Sequence, residues 1–327
     1  MQWAFWLGFL MTASALLHGY FWMRCVRDCQ LPDRVRRFSA WLAAAVTILL
    51  PCTFLIRRHL VQPLDSYIFL ALMVWLSSLY FLVCLRLIAE IIPAGLRLRS
   101  FFKKQDYDPG RRLFLSRALA AGTLTIGAPA LIYGAYKGME DPEVLEVIVK
   151  LEKLPKGSQG FTIVQLTDLH VSAWTSDAFV ERIVDRTNAL RPDVIAITGD
   201  LVDGGPDIIL PKIKYLEKLH ARCGSYFVTG NHEYYVGFSE WLPVLQKLGL
   251  NVLSNRGESI ADTIHLAGLP DPAAFRGFDG GGPDIRRALE GRPEHLPAVI
   301  LAHQPRAVFE SAAAGVDLQL SGHTHGG

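Results

Sequence analysis

Cysteine is scarce in this chain. The five present (Cys25, Cys29, Cys52, Cys84 and Cys223) are too few and too scattered for a disulfide framework, and none forms a CxxC pair that would suggest a zinc knuckle. Charge is scarce as well, at 20% of 327 residues, while half the residues are hydrophobic. With a mean hydropathy of +0.24, this balance excludes a disordered chain and argues against a single soluble globule. No basic patch is interleaved with aromatics, so no nucleic-acid partner is expected. Internal repeats and low-complexity tracts are absent too. The net charge of +2 hides an asymmetry: residues 1–140 hold 16 Lys/Arg against 7 Asp/Glu, and residues 141–327 hold 17 against 24. The two segments therefore face different surroundings, and the chain is divided there.

Four apolar runs, at about 3–23, 38–56, 67–92 and 118–136, fill the first segment. Each reaches or approaches the ~20 residues with which an α-helix crosses the hydrocarbon core of a bilayer. Four transmembrane helices are expected. Pro51 lies inside the second run and would kink it, which a membrane helix tolerates. Arg86 and Glu90 stand four apart in the third. They are read as membrane-edge residues whose charges snorkel toward the headgroups, the other reading being a functional intramembrane pair.

Basic residues concentrate in the first loop (Arg24, Arg27, Arg34, Arg36, Arg37) and the third (Arg97, Arg99, Lys103, Lys104, Arg111, Arg112, Arg117), with only Arg57 and Arg58 between the second and third runs. Positive loops stay in the cytoplasm, so the amino terminus and everything after the fourth run are expected outside. Gly110-Arg111-Arg112-Leu113-Phe114-Leu115 resembles a twin-arginine export signal placed internally as a signal anchor. Equally, two arginines mark the cytoplasmic end of a helix. The first run is long and begins without basic residues, unlike a removable signal peptide.

From about Asp141, short β-rich runs alternate with amphipathic stretches. Strands are expected at 144–149, 161–167, 194–198, 226–229, 251–253, 264–269, 299–302 and 318–320. Helices are expected near 176–190, 207–222, 239–248 and 306–313. The alternation predicts an α/β layered fold.

The polar residues of this segment gather just after strands. Asp168 and His170 follow the first long one, and Asp200 and Asp203 the next, in Gly-Asp-Leu-Val-Asp. Asn231, His232 and Glu233 follow the third, His303 a fourth, and His323 and His325 the last, in Gly-His-Thr-His-Gly-Gly. In α/β sheets, sites form beyond the carboxyl ends of strands. A single strand-end histidine is usually structural, but five loops here bring carboxylates, an amide and imidazoles to one rim without a thiolate. Such ligands suit Zn, Mn, Fe, Ni or Mg.

In this order, D-x-H, G-D-x-x-D, G-N-H-E, a lone His and G-H-x-H resemble the calcineurin-like metallophosphoesterases. The blocks IVQLTDLHVS and TGDLVD are similar to the membrane-anchored bacterial phosphodiesterase branch (YkuE/YaeI-like). The resemblance covers residues 144–327 and implies a β-sandwich flanked by helices. It implies two divalent metal ions: Asp168, His170 and His325 on one; Asn231, His303 and His323 on the other; and Asp200 bridging. It further implies a catalytic His232 that faces the phosphate, and in-line attack by a metal-bridging hydroxide. Asp203 and Glu233 are either partners that orient the ligands or turn and capping residues.

The function so implied is hydrolysis of a phosphate ester, a phosphodiester of lipid or envelope origin being favoured. The location implied is a bacterial inner membrane, crossed several times, with the catalytic domain extracytoplasmic. Alternatives are a catalytically silent membrane sensor that keeps the fold, and a transporter-like protein with a regulatory ectodomain. Family members usually continue past the last motif, so the end at Gly327 reads as a C-terminal truncation.

Overall fold

The computed structural model describes residues 2–56, 64–91, 94–95, 108–138, 140–276 and 281–325. Of the basic loop residues, Arg57, Arg58, Arg97, Arg99, Lys103 and Lys104 lie outside the described residues, as does Ile92 at the end of the third run. Two compact units are present, Met1–Glu140 and Asp141–Gly327.

The first unit is helical: α1 (Gln2–Trp22), continued by a π-helical turn over Met23–Arg27, then α2 (Asp33–Ile56), α3 (Leu64–Ala89) and α4 (Pro109–Lys137). Among the described residues, three segments are long and apolar enough to cross a membrane: Asp33–Thr53, Tyr67–Ala89 and Pro109–Lys137. Large side chains point outward, Phe38, Trp41, Phe114 and Ile132 each being at least 70% exposed. An apolar exterior of this kind suits lipid rather than water. Small residues make the internal seam. Ser116, Ala120, Thr123 and Gly127 are the buried residues of α4, spaced to share one face. A Cβ on Gly127 would run into the Leu82 side chain of α3, so small side chains let these two backbones approach.

Two expectations for this unit change. Helix α4 starts at Pro109, well before the apolar run. Asp108 caps it by accepting the Gly110 N–H at 2.9 Å, and Pro109 supplies a φ suited to the first turn. Arg111 and Arg112 are therefore helical. Arg86 does not snorkel outward: it is 3% exposed and pairs with Glu90 at 3.3 Å inside the bundle. Arg24 holds the same carboxylate at 3.0 Å, which draws both partners inward.

The second unit has two four-stranded sheets. The first comprises β1 (Ile163–Leu166), β2 (Val194–Ile197), β3 (Ser225–Phe227) and β4 (Leu250–Val252), all parallel. The second comprises β5 (Arg256–Ile260), antiparallel to β6 (Ile264–Gly268), then β7 (Ala298–Leu301) and β8 (Leu318–Leu320) in parallel. Helices α5 (Asp177–Ala189), α6 (Pro206–Ile213), α7 (Asn231–Val236), α8 (Phe238–Lys247), α9 (Ile285–Ala288) and α10 (Val308–Ala313) connect the strands.

Alternation along β2 explains the layering. Ile195 and Ile197 pack into a core with Val184 of α5, Ile209 of α6 and Trp241 of α8. Val194 and Ala196 point the other way, into a core shared with Leu266 of β6 and Val299 of β7. Behind the second sheet, Ala267 and Ile300 meet Ala288 of α9. Because successive strand side chains face opposite sides, a four-residue, fully buried strand such as Val-Ile-Ala-Ile needs a helical layer on one face and a sheet on the other. The expected layered fold, sheets flanked by helices, is what these cores build.

One expected strand is absent. Residues 144–149 run without regular structure, and Leu145, Val147 and Ile148 are largely exposed. A strand needs a neighbour for its N–H and C=O groups, and no backbone bond to these residues appears among those described. Conversely, β5 was not expected: Arg-Gly-Glu-Ser-Ile is polar and covers one edge.

Candidate metal centre

The loops after β1, β2, β3, β7 and β8 meet at one rim because parallel strands all end there. Backbone bonds tie the first two: Asp168 N–H donates to Gly199 O and His170 N–H to Asp200 O, at 3.1 and 3.0 Å. Gly322 N–H donates to His303 O at 2.9 Å, joining the last two. Glycine is required where loops touch. A Cβ on Gly230 would overlap the Asp200 carboxylate, and one on Gly322 would overlap Thr167 and Asp168. The polar residues themselves bend sharply. Of ten described non-glycine residues with positive φ, five are Asp168, His170, Asp200, His323 and His325.

Among the described residues, three overlapping groups of ligand-type atoms result: Asp168, His170 and His325; His170, Asp200 and His232; Asp200, His303 and His323. In the first, the Nε2 atoms of His170 and His325 face each other at 3.1 Å, and His325 Nε2 lies 3.4 Å from Asp168. In the last, His303 Nε2 stands 3.2 Å from both Asp200 Oδ2 and His323 Nδ1. Asp200 Oδ2 is also 3.7 Å from His170 Nε2, so this carboxylate stands between the two groups.

The imidazoles are oriented from behind. Thr198 O can only accept, so His303 carries its proton on Nδ1, 2.8 Å away, and turns the Nε2 lone pair to the cluster. Asp203 does the same for two rings at once, accepting from His170 Nδ1 at 3.0 Å and His232 Nδ1 at 2.6 Å. Burial would raise the Asp203 carboxyl, but hydrogen bonds from these histidines outweigh it and hold the group well below the usual carboxylate range. Asp200 is likewise low: burial is opposed by hydrogen bonds from His303 and the His232 backbone. His232 is raised, chiefly by its bond to Asp203.

Glu233 points away from the rim. Fully buried, it accepts from Gly230 N–H at 2.7 Å, Asp200 N–H at 3.0 Å and Leu201 N–H at 2.7 Å. It also accepts from Val202 N–H at 3.3 Å, and burial pushes its carboxyl above the ordinary range against these donors. It therefore caps the first turn of α7 and fixes the Asp200 loop together.

A family model, described as calcineurin-like phosphoesterase, matches residues 161–327, half the chain and all five loops. The chain belongs to the calcineurin-like phosphoesterases. A "Transmembrane protein with metallophosphoesterase domain" of Danio rerio is 36% identical over 214 residues, 62% of this chain and 49% of its own length. An "Uncharacterized metallophosphoesterase" of Helicobacter pylori (strain ATCC 700392 / 26695) is 35% identical, covering 69% of this chain and 60% of its own. The "Uncharacterized metallophosphoesterase YkuE" of Bacillus subtilis (strain 168) is 34% identical, covering 66% and 77% respectively. The chain spans about half the length of the Danio rerio relative and of a similarly named one from Bos taurus.

The family uses divalent metals, and the residues here fit them. Asn231 Oδ1 is buried and accepts no hydrogen bond. A buried amide oxygen without a donor is costly unless a cation takes its place. Facing imidazole nitrogens at 3.1–3.2 Å make the same demand.

Several contributors carry no motif. Thr167 Oγ donates to Asp168 Oδ2 at 2.6 Å, and Gln165 donates to Ser321 O and Thr198 Oγ at 2.8 Å, tying the two sheets at the rim. Asp271, buried just after β6, accepts from Gln304 beside His303. Only its place after a strand would have marked it.

Proposed function

We propose that this protein is a membrane-anchored, dimetal phosphoesterase whose catalytic domain lies outside the cytoplasmic membrane. The observation that carries this reading is Asp200 standing between two groups of ligand-type side chains. Asp168, His170 and His325 would hold one ion and Asn231, His303 and His323 the other, with the Asp200 carboxylate available to both. Bound ions would activate a water nucleophile and neutralise phosphoryl charge. The chain's own work is positional: Asp203 holds His170 and His232 in register, and Glu233 holds the Asp200 loop. His232 faces the substrate and delivers its Nε2 proton to the leaving oxygen. Purified full-length protein should contain two divalent ions per chain and hydrolyse a phosphate ester; absence of both with the fold intact would refute the assignment.

His232→Asn should lower kcat by about 10²–10⁴-fold, the usual worth of a positioned acid, while metal content stays near wild type. Loss of one ion per chain would instead make His232 a ligand.

The topology proposed has four membrane helices, α1 included, with the first and third loops cytoplasmic and Arg111-Arg112 serving as an internal export signal. Reporter fusions after Arg37, Ser66, Lys104 and Gly138 should read in, out, in, out. A cytoplasmic signal after Gly138 would reverse the orientation.

For substrate, a lipid-linked or other envelope phosphodiester is favoured. Tyr235 is 66% exposed and lies 5.4 Å from the His232 ring, and Trp174 is 40% exposed in the loop after His170. Such rings settle at headgroup level. Trp241 and Phe238 are excluded from that role, since they pack into the core. Phosphodiesters presented in vesicles should be cleaved at least tenfold faster than soluble ones, and Tyr235→Ala should erase the difference. Equal rates in wild type would remove the lipid preference.

A further inference from the structure

We propose that the helical unit binds one anionic phospholipid, its tail in a cavity between α1, α2 and α3 and its phosphate on the Arg86 guanidinium. The cavity measures about 220 Å³ and is lined by His18, Trp22, Val26, Leu42, Trp75 and Leu82 among others. Leu42 and Trp75 are themselves nearly half exposed, so it opens to the surroundings. Its wall offers a ligand almost nothing polar. Ser14 O accepts from His18 Nδ1 at 2.8 Å, and His18 Nε2 accepts from Trp75 at 3.0 Å, so both ring nitrogens are already engaged. The Trp22 N–H is spent on Ser39 at 3.1 Å. A hydrocarbon is the occupant such walls prefer.

Charge supplies the other end. Arg86 lies one helical turn beyond Leu82 on α3. It is buried; its Nε makes no hydrogen bond, and its Nη1 has only the 3.3 Å ion pair to Glu90 Oε1. Glu90, its ion-pair partner, is shared with Arg24, so one carboxylate faces two guanidiniums. Asp28 compensates Arg24 but is also held by Arg27. A buried cation with an unpartnered Nε and only a shared carboxylate calls for a further anion. One with an apolar tail satisfies cluster and cavity together, and the lipid phosphate is the anion available among apolar helices.

The site rests on the membrane reading of these helices, and the test separates the two. Full-length protein is placed in phosphatidylcholine nanodiscs carrying trace phosphatidylglycerol or phosphatidylcholine with a photoreactive acyl chain. Labelling should map to residues 75–82 and favour phosphatidylglycerol about tenfold. Ala43→Phe, which fills the cavity, should cut it about tenfold without changing the melting temperature. Arg86→Gln should abolish the headgroup preference; should it fail to fold, Ala43→Phe still decides. Equal labelling by both lipids, even labelling along all helices, indifference to Ala43→Phe, or displacement by inorganic phosphate would each overturn the proposal. Release of the chain by alkaline carbonate would overturn the membrane reading instead.

Discussion

Asp200→Asn is expected to lose about 10³-fold or more in kcat and to retain fewer ions per chain. The substitution keeps shape. Its amide oxygen still accepts from the His232 backbone N–H, which Asp200 takes at 2.9 Å, and its NH2 finds the His303 lone pair at 3.2 Å. What disappears is the charge shared by both halves of the cluster. Three decades correspond to about 4 kcal/mol, in keeping with the several kcal/mol of charge stabilisation that bound metals supply. Steady-state kinetics with elemental analysis of the same sample check it. A folded Asp200→Asn protein with two ions and wild-type turnover would dismantle the two-ion assignment.

Glu233→Gln should be nearly as damaging as Glu233→Ala, though for the fold rather than the chemistry alone. The carboxylate meets only donors: Gly230 and Asp200 N–H on one oxygen, Leu201 and Val202 N–H on the other. Glutamine replaces one oxygen by an NH2 that must face a donor, and alanine leaves four buried N–H groups without an acceptor. Breaking a buried network of this kind costs about 3–5 kcal/mol. For a domain of this size that is a fall of about 10 °C in the melting temperature. Thermal unfolding of both variants with and without divalent metal gives the answer; a change under about 2 °C would show that the first turn of α7 and the Asp200 loop hold without this carboxylate.

These two residues show how far a sequence can be read. The place of Asp200 among the clustered side chains was legible because a carboxylate after Gly at a strand end, with histidines at four other strand ends, falls where parallel strands finish together. Glu233 was ambiguous because its motif says where it lies but not where it points; only the fold turns it inward onto neighbouring loops. Asp203 was equally open, and its role came from two rings converging on one oxygen. Strands with fully apolar sequence, such as Val194–Ile197 and Ala298–Leu301, were plain because burial on both faces leaves no alternative. The apolar run at 144–149 misled for the opposite reason: composition reports a preference for β structure, whereas a strand also needs a partner edge. Polar β5 escaped because its pairing with β6, rather than its hydrophobicity, makes it a strand.

The five left-handed residues at the rim set the evolutionary terms on which this site exists. Asp168, His170, Asp200, His323 and His325 each hold a backbone geometry that glycine would adopt freely. At about 1 kcal/mol apiece, the low end for such strain, they withdraw about 5 kcal/mol from a domain whose whole margin is of order 5–15. Drift toward greater stability would erode these positions first, replacing ligands with glycine. Relatives lacking these residues should therefore be the sturdier ones, and keeping all five sets the geometry of the rim against thermal robustness.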